Sequence, residues 1–185
     1  MIDDVVNDAG RRMDKTVENT RHEFTTIRTG RASAALLERV QVSAYGTKMP
    51  INQVATISVP EPRLLTITPF DKSIMRDIEK SILESDLGLT PNNDGQVIRL
   101  PIPELTEERR KELVKQVRHL AEEGRVAARN VRRDAIHHLK DAEKNGETGA
   151  DDVRRAEERL QKVTDEHVAA IDSALKAKEA EIMEV

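Results

Sequence analysis

Cysteine and tryptophan are both absent from the 185 residues, tyrosine occurs once and phenylalanine twice. Without a thiol the chain can form no disulfide staple, no cysteine-ligated zinc site, no iron–sulfur cluster and no thiol nucleophile, and this usage suits a reducing compartment. With hydrophobic residues at 37% and charged residues at 35%, one modest core can be buried but not a thick multilayered one. The scarcity of aromatics leaves few groups to stack on unpaired bases. An excess of one charge sign is missing too: 34 acidic against 30 basic residues leave a net charge of −4, so any attraction to a polyanion must come from local clustering. No long apolar run exists. The longest stretch without a charge, Met49 to Pro60, holds 12 residues and two prolines, against the ~20 apolar residues of a membrane helix. The N-terminal Met-Ile-Asp-Asp-Val-Val is acidic where a signal peptide is basic and then apolar. These features predict a soluble, cytoplasmic protein with no membrane partner.

Motifs for small-molecule chemistry are missing as well. The eight glycines nowhere form a GxGxxG or GxxxxGK phosphate cradle, and no GxSxG elbow occurs. A helical bundle can hold a di-metal site, but that needs paired Glu-x-x-His motifs, and Asp134-x-x-His137, with His138 beside it, is the nearest approach. His22, His119, His137 and His138 therefore read as solvated helix residues and His167 as a core-edge residue. Asp3-Asp4 and Asp151-Asp152 stand at helix starts, where the helix dipole accounts for them. The expectation is no catalytic residue, no metal, no cofactor and no enzyme activity.

What is present is periodicity. Ile2, Val6, Ala9, Met13, Val17, Thr20, Phe24 and Ile27 step by three and four, which predicts a helix over residues 2–28. Leu113, Val117, Leu120, Gly124, Ala127 and Val131 repeat the pattern after a Thr106 cap, and this second helix runs to Asn145-Gly146. At about 40 residues it is ~60 Å long. Val153, Ala156, Leu160, Val163, His167, Ala170, Ile171, Ala174 and Ile182 mark a third helix. Residues 31–104 follow other rules. Arg39–Tyr45 alternates into a turn at Gly46, residues 55–59 and 64–68 are β-branched runs around Pro60-Glu61-Pro62-Arg63, and residues 96–100 suggest another strand. Between them an amphipathic helix starts at Ser73, with Ile74, Ile78, Ile82 and Leu83 on one side, and ends near Leu87-Gly88. The predicted fold is α+β: a long antiparallel three-helix bundle from residues 1–30 and 105–185, with a small β/α/β domain, residues 31–104, inserted on two short tethers. Gly30 and Arg31 on one tether, with Pro101, Pro103 and Glu104 on the other, are the candidate hinge; packing that fixes both ends is the alternative.

Charge is clustered. Residues 109–133 contain nine basic residues against three acidic ones, and from Asp151 onward ten acidic residues face six basic. Lys111, Arg118, Arg125 and Arg132 follow at seven-residue spacing, which reads as one row on the flank beside the apolar seam, broadened by Lys115 and Arg129. Guanidinium groups are planar, always charged and bidentate, so the row suits phosphates; a solvated face paired with acids is the bland alternative. Two readings follow from the residues alone: a non-enzymatic factor binding structured RNA through its backbone, and a coiled-coil scaffold that binds protein without RNA contacts.

Four separated motifs narrow the choice: Ile27-Arg28-Thr29-Gly30-Arg31-Ala32-Ser33; Ser85-Asp86-Leu87-Gly88-Leu89 with Pro91-Asn92; Leu105 through Lys111; and Val126-Ala127 with Arg129 through Asp134. With these in order, the chain resembles bacterial ribosome recycling factors over essentially its whole length. One departure is Ala34, where many members carry proline after the serine. The resemblance implies an L-shaped, monomeric protein of transfer-RNA dimensions. Its bundle would bind the large ribosomal subunit across the A and P sites, and elongation factor G with GTP would drive the small domain to split the subunits and free messenger and deacylated transfer RNA. It further implies ribosomal-RNA contacts at Arg28, Arg31, Arg129 and Arg132, with Arg109, Arg110 and Arg133 beside them, and leaves GTP hydrolysis to the partner.

Overall fold

A computed structural model describes residues 1–184. The chain divides into two compact units with the boundaries at Thr29/Gly30 and Thr106/Glu107. One unit is helical, made of α1 (Ile2–Thr25), α3 (Glu107–Lys144) and α4 (Ala150–Met183). The other, Gly30–Thr106, carries six strands and α2 (Met75–Glu84). The architecture is thus α+β, with a long three-helix bundle and a small sheet unit in between in sequence.

Local interactions end α1 and α3 and mark the start of α4. The hydroxyls of Thr25 and Thr26 donate back to the carbonyls of His22 and Glu23 at 2.6 and 2.7 Å, which competes with helix continuation and stops α1 three residues short of the predicted Arg28. After α3, Gly146 takes φ +76°, and the Glu147 N–H reaches back to the Ala142 carbonyl at 2.9 Å, a left-handed cap that favours glycine. Asp151 and Asp152 then occupy the first turn of α4, next to its positive dipole end.

Side-chain pairs fix the helix directions. Arg12 of α1 meets Asp134 of α3 at 3.2 Å, and Thr20 lies against Gly124, so numbers rise on α1 as they fall on α3. Arg118 with Glu179, Arg125 with Asp172 and Lys140 with Glu157 show the same antiparallel course for α3 and α4. Asp3 with Arg159 and Asp14 with His167 make α1 and α4 parallel. One contiguous core joins Val6, Ala9 and Met13 to Ala128, Val131, Ala135 and Leu139 of α3 and Val153, Ala156 and Leu160 of α4.

The buried positions of α3 are Leu113, Val117, Ala121, Gly124, Ala128, Val131, Ala135, Leu139 and Ala142. They include 113/124/135 and 117/128/139, an eleven-residue repeat that follows the 3.6-residue turn instead of a strict heptad. Ala121 and Ala128 accordingly take the places predicted for Leu120 and Ala127, which are half-buried.

In the sheet unit, β1 (Gln41–Ala44) and β2 (Thr47–Pro50) form a hairpin, while β3 (Ala55–Glu61), β4 (Leu64–Pro69), β6 (Ile98–Pro101) and β5 (Asn92–Asn93) form an antiparallel sheet in the order β3-β4-β6-β5. Val40, Val42 and Ala44 are buried as their alternation predicts. Two strands, β2 and β5, go beyond the sequence expectation; both are short and carry polar or proline residues without alternation. The hairpin turn puts Tyr45 at φ +53° and Gly46 at φ +78°, the pair of positive values that a two-residue loop with right-handed strand twist demands. Ahead of α2, Asp71 accepts the Ser73 N–H at 2.9 Å and caps a 3₁₀ turn over Lys72–Ile74. The expectation that Leu83 faces the core with Ile78 and Ile82 is corrected: it is 59% exposed, because one residue beyond Ile82 turns it ~100° around the helix.

The β5–β6 connection is a nest of short polar bonds. Asn93 accepts the Gly95 N–H at 2.7 Å, and Asp94 accepts the Gln96 and Val97 N–H groups at 2.8 Å each and the Arg99 guanidinium at 2.5 Å. The two backbone donors first, then Arg99, hold the Asp94 carboxyl down to about 2. A carboxyl depressed on folding adds stability that is complete above its unfolded value near 4 and is lost as pH falls towards 2. In Asp94→Asn, melting of the sheet unit should lose part of its acid sensitivity over that window. An unchanged pH profile would mean the loop does not hold the carboxylate in solution.

Candidate nucleic-acid interface

The basic residues of α3 separate into two sets. On a 3.6-residue helix, a seven-residue row drifts ~20° per step, and the row Lys111, Arg118, Arg125, Arg132 winds from solvent towards α4. The first two side chains are 72% and 64% exposed and the third only 20%. At Arg132 the Nε is already buried without a partner, and the guanidinium bonds to Gln161, which itself donates to Asp165 at 2.8 Å. The seven-residue step from Arg118 to Arg125 on α3 is matched by one backward on α4: Arg118 donates to Glu179 and Arg125 to Asp172, both at 2.7 Å. The reading of this row as uncompensated is therefore corrected for Arg118 and Arg125, and its reading as accessible is corrected for Arg125, while Arg132 is half-buried with a neutral partner. Acids and amides of α4 meet them, because the long acidic helix is the packing neighbour on that side.

Electrostatics agree with that division. The hydrogen bond from Arg118 to Glu179, reinforced by their attraction, raises the arginine above its ordinary value. For Arg125, burial is the largest single influence and opposes the charge, yet hydrogen bonds to Asp172 and Glu122 outweigh it and the guanidinium is again raised. These two arginines form a cross-helix ladder.

The second set points outward. Lys115 and Arg133 each lie nine residues from the buried Gly124, two and a half turns at 3.6 residues per turn, and thus diametrically opposite the core. They are eighteen residues apart in sequence, or ~27 Å along the axis. Arg129 lies one turn from Arg133 on nearly the same line; it is exposed, and among the described residues its ion pair is a loose one with the Glu122 carboxylate, at 3.8 Å. Among the described residues neither Lys115 nor Arg133 forms an ion pair. Lys111 joins this face with a loose contact to Glu107 at 3.6 Å. Near the start of α3, Arg109 donates to Glu112 at 2.8 Å, and Arg110 is half-buried with its Nε enclosed. Arg28 is an exposed residue just beyond α1, whereas Arg31 is an exposed residue of the sheet unit. The outward α3 face, with lysine and arginine side chains spread over ~27 Å, can meet phosphates of a nucleic-acid backbone at several points.

Of the candidate hinge residues, Gly30 has φ +78° and Leu105 packs 3.1 Å from where its Cβ would be. Pro101 is the last residue of β6, paired with Leu64, and Glu104 is ion-paired with Arg63. Pro103 is exposed. His119 and His137 face Glu123 and Asp141 one turn on, and the two ring nitrogens of His167 lie 2.6 Å from the Val163 carbonyl and 2.5 Å from the Asp14 carboxylate. Among the described residues no group of three or more histidines and carboxylates could hold a metal ion, and no helix is long and apolar enough to cross a membrane. Sequence reasoning does not single out Tyr45 and Phe70, two of the three aromatic side chains, which the structure leaves exposed. Tyr45 continues an alternating strand pattern, and only the hairpin reveals its position.

Known proteins resemble this chain over all or nearly all of their length. The model of the family described as "Ribosome recycling factor" matches residues 20–183. A ribosome-recycling factor of Rubrobacter xylanophilus is 61% identical over 180 residues, covering 97% of each chain, and those of a Geobacillus species and of Listeria monocytogenes are 56% identical over all of both chains. Among solved structures, a ribosome recycling factor in solution is 44% identical, with a TM-score of 0.74 over 100% of this chain and 98% of that one. The Thermus thermophilus factor, described together with Escherichia coli elongation factor G on an E. coli post-termination complex, is 43% identical with a TM-score of 0.64 over both whole chains. Sequence identity at this level, unbroken from the first helix to the last, establishes that the chain belongs to the ribosome recycling factor family.

Proposed function

We propose that this protein is a non-enzymatic translation factor of the cytoplasm that binds the post-termination ribosome as a monomer and, with elongation factor G and GTP, separates the subunits and releases messenger and deacylated transfer RNA. The observation that carries the RNA contact is the outward line of Lys115, Arg129 and Arg133 on α3, exposed opposite the bundle core. Arg132, Arg109 and Arg110 flank it, and Arg28 and Arg31 lie on the chain leading out of α1. In this reading the bundle anchors on ribosomal RNA of the large subunit, and the sheet unit, with eight basic and nine acidic residues over 31–104, does the work of separation. The relative bound with elongation factor G to a post-termination complex supports that assignment of partners. The nucleotide chemistry is assigned to the elongation factor, since this chain contains no phosphate-cradling glycine motif.

The two arginine sets should respond differently to charge reversal. Arg129→Glu combined with Arg133→Glu should change unfolding stability by less than ~0.5 kcal/mol per site, as exposed substitutions do. Its affinity for large subunits should fall, and the slope of log affinity against log salt should flatten by about 0.7 to 0.9 for each phosphate that the variant no longer neutralises. Arg125→Glu should instead destabilise the bundle, because it sets a carboxylate against Glu122 and Asp172. A double variant that keeps the original salt slope would overturn the phosphate reading and favour a protein-binding scaffold.

A further inference from the structure

Both stretches of chain that enter the sheet unit are fastened to the same turn. The N–H of Ala32 donates to the Pro62 carbonyl at 2.7 Å, and the N–H of Ile102 donates to the next carbonyl, that of Arg63, at 2.8 Å. The Arg63 guanidinium also pairs with the Glu104 carboxylate. Ala32 and Ile102 are partly buried and pack on the apolar core of the sheet unit. Ile102 lies between Pro101 and Pro103; proline has no N–H, so the single amide hydrogen of that tripeptide is the one spent on Arg63. Residues thirty positions before the turn and about forty after it are thus brought to two consecutive carbonyls. The Ile102 bond extends the β4–β6 ladder by one rung beyond Leu64–Pro101, in the same register, and the Ala32 bond fastens the other stretch of chain to the neighbouring carbonyl of the same turn.

We infer that the Pro62–Arg63 turn is a clamp that makes both connecting strands part of the sheet unit, and that Arg63 is a positioning residue for subunit splitting. The inference rests on the proposed function, in which the sheet unit transmits force. With both strands held at one turn of the sheet unit, neither can shift against the sheet without the other. A loosened clamp lets one strand give while the other bears the load, and part of the displacement is lost.

The test uses the full-length protein with Arg63→Glu, Glu104→Arg and the two combined, which restores the pair with its charges exchanged. Each single variant should split ribosomes about threefold more slowly at saturating concentration, the scale on which surface ion pairs act. Melting and affinity for large subunits should stay unchanged, and the exchanged pair should recover the original rate. Single variants that split at the original rate would overturn the clamp, as would an exchanged pair as slow as the singles or a loss of affinity that matches the loss of rate. Amide hydrogen exchange reads the clamp without any ribosome: exchange at Ala32 and Ile102 should quicken in the single variants and slow again in the exchanged pair. Should the unsubstituted protein fail to split ribosomes, the proposed function fails, and this exchange pattern alone then decides whether the clamp exists.

Discussion

Replacing residues 31–104 by a short Gly/Ser linker is expected to abolish subunit splitting while leaving a folded bundle that still binds large subunits. The bundle has its own core, from Val6, Ala9 and Met13 across to Leu139 and Leu160, with no member from the sheet unit. Its cross-helix pairs, Arg12 with Asp134, Arg125 with Asp172 and Asp3 with Arg159, are likewise internal. The deletion removes eight basic and nine acidic residues, so the net charge hardly changes, and the outward line on α3 stays complete. Loss of Arg31 removes one basic side chain, so affinity should weaken and survive. Light scattering of ribosomes mixed with the truncated protein, elongation factor G and GTP is the measurement. A fall in scattering at near-normal rate would show that the sheet unit is dispensable and that the division of labour between the units is wrong.

Gly124→Val should strongly destabilise the bundle. A Cβ built on Gly124 collides with Thr20 Oγ1 and comes within 3.2 Å of both Thr20 Cγ2 and Ile171 Cδ1. Thr20 cannot turn away cheaply, because its hydroxyl donates to the Thr16 carbonyl at 2.9 Å and the residue is buried. Even alanine sets two effects against each other. Replacing a helical glycine gains ~1 kcal/mol in backbone propensity, whereas overpacking a tight site costs ~1 to 3 kcal/mol. Valine adds two more methyl groups and forfeits part of the propensity gain, so the net loss should reach about 3 kcal/mol, read from urea unfolding of the helical signal. In a double-mutant cycle Thr20→Ala should offset much of the cost of Gly124→Ala, since the two sites touch directly. A valine variant as stable as the original protein would mean that α1 and α3 do not approach this closely.

These two expectations draw on different sources. The bundle, the inserted sheet unit, the ends of α3 and the start of α4 are legible because local rules govern them: three-and-four spacing of apolar residues, the Asn145-Gly146 stop, and the change to alternation at Arg39–Tyr45. So is the family, because four motifs keep their order around that architecture. The close approach at Gly124 is not legible in this way. In the sequence Gly124 reads as one more small seam residue, and only the antiparallel setting of α1 against α3 brings Thr20 to it.

The same limit explains the arginines. Spacing places Lys111, Arg118, Arg125 and Arg132 in one register, but a heptad is not a whole number of turns, and over three repeats the row swings towards a neighbour the pattern does not name. Packing decides that Arg118 and Arg125 meet Glu179 and Asp172 of α4, and it leaves the line through Lys115 and Arg133 on the open face. The convergence of Ala32 and Ile102 on the Pro62–Arg63 turn is hidden for a similar reason, since hydrogen bonds between residues thirty to forty positions apart leave no periodic trace. Periodicity and capping report on neighbours along the chain, and they set the elements and their lengths. Which side chain faces solvent, which is compensated and which strand is fastened depend on contacts across the chain, where burial and geometry act.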